Sequence, residues 1–245
     1  MSQPMLITRV LEEFYAEQTA LESSLSWDHN ILGQVLGWFE IYTTEFANLD
    51  YLTELNLSHL EAYLSCWYLN KVSEKSISDF LFHLEILKSF LIWLEKKKQL
   101  PLQAKFDPIY QSLKLSFPRL LQLPDQLNQA TVEEKRPENT DQPLAEPCRL
   151  ASMFQVQTKI ILPIPDQALR PNAVQDLNSR HILELIDLYD PGSTPYSIKI
   201  PPSTWPLIQE GDLLNLIIYK DKQDPFWRIA QAGSAYPKEA ARYHI

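Results

Sequence analysis

Glycine is scarce in this chain, five residues in 245, and none stands in a GxGxxG, P-loop or GxSxG pattern. Phosphate cradling by a glycine-rich backbone loop is therefore not expected. Cysteine is scarcer still. Cys66 falls in a helical pattern and Cys148 in a linker-like stretch, which suits a reducing compartment better than a disulfide framework. The five histidines, His29, His59, His83, His181 and His244, each stand without another His, Cys or acid at metal-ligand spacing. No metal or cofactor site is expected, and His83 reads as a partly buried packing residue. Positive charge is short as well: 22 Lys and Arg face 31 Asp and Glu, a net −9. No region compensates. Residues 1–105 hold 8 basic against 14 acidic side chains, residues 106–150 hold 5 against 7, and residues 151–245 hold 9 against 10. Long apolar runs are missing too, since the longest, Ile86 to Leu94, is interrupted by Lys88 and is too short to cross a bilayer. The start, MSQPMLITRVLEEF, carries no signal-peptide pattern. A soluble cytoplasmic protein without a membrane partner is the expectation.

Proline is nearly absent from the first hundred residues, where only Pro4 occurs, while 17 follow from position 101 onward. Residues 1–100 are accordingly expected to be a helical bundle, because nothing in them removes a backbone donor. Four helices are predicted. Leu6, Val10, Leu11, Phe14 and Tyr15 mark the first, and Ile31, Val35, Trp38, Phe39, Tyr42 and Phe46 the second. Leu60, Tyr63, Leu64, Trp67 and Tyr68 mark the third. The fourth, Val72–Gln99, is the centrepiece: Ile77, Phe80, Leu81, Leu84, Leu87, Leu91 and Leu94 form one stripe, and Phe82, Ile86, Phe90 and Trp93 a second beside it. A helix apolar on two sides is enclosed by neighbours. Ser73 or Ser76 caps its start, and Lys96, Lys97 and Lys98 suit its negative end.

Residues 101–123 are apolar but broken by proline, and predict an irregular arm with one helical turn or two. Residues 124–150 carry four more prolines, six acids and no aromatic side chain, the composition of a flexible linker. In residues 151–245 the period changes to two. Phe154–Leu162, Arg180–Tyr189, Tyr196–Ile200, Leu213–Tyr219 and Phe226–Ala230 read as five short strands. Five strands in so short a segment predict a small β-barrel, OB- or SH3-like, since curling removes exposed edges. The fold class is thus α+β and multidomain. Trp205, Phe226, Trp227 and Tyr236 either form a patch that stacks a base or a partner, or fill the barrel.

Three stretches carry a resemblance: DHNILGQVLGWFEIYTTEF (28–46), LTELNLSHLEAYLSCWY (52–68) and the long fourth helix. With Phe39 and Tyr42, Leu57, Tyr63 and Leu64, Ser73 and Ser76, and the Leu87–Phe90 run, the pattern resembles the SAM-like N-terminal core-binding domain of tyrosine recombinases, over roughly residues 5–124. The family's catalytic domain has no counterpart after Pro124, where no HxxR box occurs; Arg180, His181 and Tyr243 stand isolated. Phosphoryl transfer wants positive clamps around the phosphate, so a non-catalytic protein is expected. What the resemblance implies is duplex DNA gripped at the entry of the long helix, with Lys71, Lys75, Ser76 and Lys88 as contacts. A DNA-associating accessory protein is the first expectation. The alternative is an interaction adaptor that binds a protein partner, or its own copies, through Trp205, Phe226 and Trp227, with no role for nucleic acid.

Overall fold

The computed structural model describes residues 5–20, 27–71, 76–133, 148–163, 179–220 and 224–243. Residues 1–118 and 119–243 form two compact units.

The first unit is helical. α1 (Ile7–Ala20) buries Val10, Leu11 and Phe14 as expected, but Ile7 is buried in place of Leu6, which is exposed, and Tyr15 is half-buried. α2 (His29–Ile41) is capped by Asp28, whose carboxylate accepts the backbone N–H of Asn30 at 2.8 Å. It continues as a π-helical turn over Tyr42–Phe46. α3 (Leu57–Ala62), a second π turn over Tyr63–Trp67 and α4 (Tyr68–Lys71) follow one another without a break. The two wide turns bring their rings together: Tyr42 and Tyr63 lie 5.0 Å apart and Tyr63 stacks on Trp67 at 5.6 Å. α5 (Ile77–Lys98) is the predicted centrepiece. Ser76 caps it, Gln99 ends it in the left-handed region (φ 57°), and nine of its residues are buried, among them Phe80, Leu84, Leu87, Phe90, Leu91 and Leu94. Three residues of the expected stripes depart from this: Ile77 and Leu81 are half-buried and Phe82 is 42% exposed. The earlier part of the expected helix, with Ser73, lies outside the described residues, as does Pro4.

The predicted arm and linker differ most from expectation. In place of an irregular segment, α6 runs unbroken from Gln103 to Glu133, 31 residues, through Pro108, Pro118 and Pro124. Each proline in a helix costs about 3 kcal/mol. Against that, Phe106, Tyr110, Leu113, Phe117, Leu120, Leu123, Leu127 and Ala130 recur at steps of three and four and are all buried. Eight such groups return roughly 1.5–3 kcal/mol each for the larger ones, which outweighs three prolines kept off the stripe. The first turns of the expected linker are therefore ordered helix, while residues 134–147 lie outside the described residues. Within the first unit, Phe117 stacks face to face on Phe80.

The second unit is a curled antiparallel half-barrel. β1 (Cys148–Pro163), β2 (Ser179–Asp187), β3 (Tyr196–Ile200), β4 (Leu213–Lys220) and β5 (Arg228–Tyr236) stand in the order β3-β2-β1-β4-β5. β2, β3 and β4 lie within two residues of the predicted segments, β1 begins six residues earlier than expected, inside the expected linker, and β5 is displaced toward the C-terminus. β1 is long enough to pair with β4 through its first half and β2 through its second, with a register shift between Val156 and Thr158. The curl brings β3 to the segment leading into β5. Lys199 N–H donates to the Trp227 carbonyl and Trp227 N–H to that of Ser197, both at 2.9 Å, in a parallel bridge. Gly211 (φ +90°) makes the turn into β4, where a Cβ would meet Lys238 at 2.9 Å. The core holds Phe154, Leu183, Leu185, Ile198, Leu214 and Leu216, closed by Leu120, Leu123 and Leu127 of α6.

One buried ion pair ties that part of α6 to the sheet. Arg119 makes a two-pronged contact with Asp212, its Nη2 at 2.8 Å from Oδ1, and also donates to the Leu207 carbonyl at 2.9 Å. The two side chains are 12% and 2% exposed. Asp212→Ala strands the guanidinium and is expected to cost about 3–5 kcal/mol, whereas Arg119→Met with Asp212→Leu recovers most of that loss. Urea unfolding of the full chain, followed by circular dichroism, measures both.

Candidate functional site

Lys71, Ser76 and Lys88, three of the residues that the resemblance nominates for DNA, stand in different surroundings. Lys71 closes α4, exposed, its ammonium 5.3 Å over the Phe46 ring. Lys75 lies outside the described residues. The Ser76 hydroxyl is committed to the helix cap: it accepts the Asp79 N–H at 3.0 Å and shares a 2.8 Å hydrogen bond with Ser78. Lys88 is bound internally, 3.0 Å from the Asp107 carboxylate and 4.3 Å over the Tyr110 ring. It also stands three turns along α5 from Ser76, about 18 Å at 1.5 Å per residue.

Other cations of the first unit are engaged in the same way. Lys97 pairs with Glu17 at 3.1 Å, Lys114 with Glu85 at 3.3 Å, and Lys98 with Glu13. The Trp93 indole N–H and Lys97 hold the Glu17 carboxyl below its usual range. Lys71, Lys96 and Lys105 have no carboxylate within 4 Å among the described residues. Three scattered ammonium groups are few beside the six to ten phosphate contacts common in tight duplex binders.

The nominated aromatics of the second unit are mostly structural. The indole of Trp205, in a 3-10 turn over Pro202–Leu207, is flanked by the His181 ring at 4.9 Å and the Lys159 ammonium at 4.4 Å. Lys159 also donates to the carbonyls of Trp205 and Ile208, at 2.7 and 2.6 Å, which locks that turn. Trp227 leans on the core against Tyr196 at 5.4 Å, and Tyr236 is buried. Phe226 differs. It is half-buried on the outside, with the Lys199 ammonium 5.9 Å from its ring centre. Asp224 stands beside it, 3.6 Å from Lys199 and 3.0 Å from Arg228. Burial resists ionisation of Asp224, but the Phe226 N–H, Arg228 and Lys199 outweigh it and hold the carboxyl below its ordinary range.

Residues that the sequence presents as packing groups, joined by Gln34 and Asp79, which it did not single out, form a pocket in the helical unit. It has a volume of about 300 Å³ and lies between α2, which supplies Ile31, Gln34, Val35 and Trp38, α4, which supplies Tyr68, and α5, which supplies Asp79 and His83. On α5, Asp79 and His83 are one helical step apart and share a face. His83 is 2% exposed, and its Nε2 is 2.7 Å from the Tyr63 hydroxyl. Burial drives the His83 imidazole down to about 3, so it is neutral. Burial also raises Tyr63 well above the ordinary phenol and Tyr68 to about 12, the nearby Asp79 carboxylate adding to the latter. Both hydroxyls keep their protons at any physiological pH. The signal in the sequence was the Asp79–His83 spacing on the stripe that also carries Phe80 and Leu84.

No three His, Cys, Asp or Glu side chains converge at metal-binding distance among the described residues. No described helix is long and apolar enough to cross a membrane. No family model matches the chain, and neither a curated protein nor a solved structure does.

The neutral His83 has a consequence for stability. An unfolded histidine takes up its proton near 6.5, the folded one only near 3. The unfolded chain therefore binds more protons between those values. The His83 contribution is complete above about pH 6.5 and declines as pH falls, by up to about 1.4 kcal/mol per unit. His83→Gln is expected to flatten that part of the stability profile between about pH 7 and pH 5. Urea midpoints of the two proteins across that range measure it, and parallel slopes would count against the buried neutral imidazole.

Proposed function

We propose that this protein is a non-catalytic nucleic-acid-associating protein whose contact surface is the outer face of the half-barrel, a barrel of the oligonucleotide-binding type. The observation that carries the reading is the strand connectivity: order β3-β2-β1-β4-β5, β1 divided between two partners, and β3 meeting the start of β5 in parallel. Barrels of that type bind oligonucleotides and oligosaccharides across strands 2 and 3 and the loops beside them. Register sets the outward residues here, because Leu183, Leu185 and Ile198 point into the core. Glu184, Ser197 and Lys199 face out, with Phe226 and Arg228 alongside. Phe226 offers a ring face for a base, and Lys199 and Arg228 supply charge near it.

In this reading the helical unit, similar to the core-binding domain of tyrosine recombinases, contributes less. Its lysines are largely spent on its own carboxylates, which weakens the case for a duplex grip at Lys71, Lys75, Ser76 and Lys88. A single strand needs stacking more than dense positive charge.

A second reading, an adaptor for a protein partner or for copies of itself, has its own support. Leu6 and Tyr51, 47% and 37% exposed, sit side by side across an antiparallel bridge, with Met5 next to them at 38%. An exposed apolar group of that kind suits a protein contact.

The test is fluorescence anisotropy of a labelled thymidine homopolymer of about 20 nucleotides with the full chain, at roughly 50 mM salt. Saturable binding is expected, weakened about tenfold by Phe226→Ala, since one stacked base is worth about 1–3 kcal/mol, and further by Lys199→Glu. No binding, or binding indifferent to both substitutions, removes this reading and leaves the adaptor.

A further inference from the structure

We propose that the pocket between α2, α4 and α5 binds an organic cation, a primary ammonium or guanidinium group on a short apolar stem. This site does not rest on the nucleic-acid reading. At about 300 Å³ the pocket falls at the lower end of the range for small-molecule sites and is far larger than a single water requires.

The lining decides the ligand. Asp79 is the one formal charge in it, because His83 is neutral and the remaining groups are uncharged. An anion meets only repulsion. Asp79 and Gln34 are exposed and keep their water beside a purely apolar ligand, which draws nothing from either. A cation instead gains the Asp79 carboxylate at one wall and the aromatic side chains of Trp38 and Tyr68, the arrangement that recognises ammonium groups elsewhere. Beyond the pocket, residues 1–105 carry a net −6, which favours arrival of positive charge.

His83 gives the site its selectivity for N–H donors. Its Nε2 is engaged with the Tyr63 hydroxyl at 2.7 Å, which leaves Nδ1 for a ligand. Tyr63 keeps its proton, and a hydroxyl both donates and accepts. When Nε2–H donates to the Tyr63 oxygen, Nδ1 becomes an acceptor. An ammonium or guanidinium group then has two acceptors, the Asp79 carboxylate and Nδ1 of His83, while Ile31 and Val35 cover its stem. The groups that face His83 are Tyr63 and Tyr68, whose rings lie 5.4 and 4.4 Å from it, and Asp79, one turn earlier on the same helix. None of them supplies a positive charge that would compete with the ligand.

The experiment is isothermal titration calorimetry of the full chain at neutral pH with phenethylammonium and butylguanidinium chlorides, set against 2-phenylethanol as the neutral isostere. Saturable binding of the cations is expected, with the alcohol at least about tenfold weaker. Asp79→Asn, which keeps size and polarity but removes the charge, should weaken cation binding about tenfold or more, while Asp79→Glu restores it in part. His83→Gln should reduce affinity for the cations without changing the response to the alcohol. Blocked arginine and lysine peptides make a further arm. Equal affinity for peptides and free amines means that the head group suffices, and a clear preference for the peptides identifies a partner's basic side chain as the source. Binding of the alcohol as tight as that of the cations, an unchanged affinity in Asp79→Asn, or no saturable heat with either cation overturns the proposal. The nucleic-acid test does not touch this pocket, so the two fail separately.

Discussion

A helix that carries three prolines persists only if something repeatedly compensates for the lost backbone bonds, and in α6 that compensation is one apolar stripe. Phe106, Tyr110, Leu113 and Phe117 are buried in the helical unit, and Leu120, Leu123 and Leu127 in the sheet unit. Both cores lose a wall without it. Phe117 faces Phe80 on α5, and the three leucines lie against the inward side chains of the barrel. Pro118 falls where the two sets divide, and Arg119, the next residue, is anchored to Asp212 rather than to solvent. The stripe stabilises the helix, and the ion pair fixes the rotation at which its second half meets the sheet.

Charge in this molecule is organised for internal use. Lys88, Lys97, Lys98 and Lys114 are each held by a carboxylate of the helical unit, and Lys159, Lys199, Arg119 and Arg228 by oxygens of the sheet unit. A cation already paired gains less from a phosphate, because an existing contact must be broken first. The same holds for Lys199 and Arg228, which Asp224 already engages, so a nucleic-acid contact at Phe226 leans on its ring face more than on the charge beside it. Such internal pairing also makes Asp79 conspicuous, an acid whose neighbours in the pocket are uncharged.

The pocket depends on the aromatic cluster behind it. The π turns at Tyr42–Phe46 and Tyr63–Trp67 set Tyr63 so that its hydroxyl reaches His83. Widening a helix by one residue costs regular hydrogen bonding, and here it places large rings edge to face: Phe39 on Tyr63 at 5.1 Å and Tyr42 on Trp67 at 5.7 Å. His83 is thereby a floor with two roles, packing and hydrogen bonding. Reading it as a packing residue captured one of them.

Sequence alone determined the two halves of the architecture, because the period of apolar residues depends only on local geometry. The step of three and four across Phe80 to Leu94 makes α5, and alternation marks β1, although only Phe154 and Val156 of the expected inward set are buried and Leu162, past the register shift, is exposed. It also contained the α6 stripe, but proline content is a local penalty and the burial that outweighs it is not local, so counting prolines led to an irregular arm. The candidate site was the least legible part. Asp79 and His83 are visible as a helical pair, yet their meeting with Trp38 and Tyr68 depends on how three helices cross, which no spacing records. Likewise the order of five strands, the pairing of Arg119 with Asp212 and the capture of Lys88 by Asp107 were decided only by tertiary structure, since each joins groups whose separation along the chain carries no information about their distance in space.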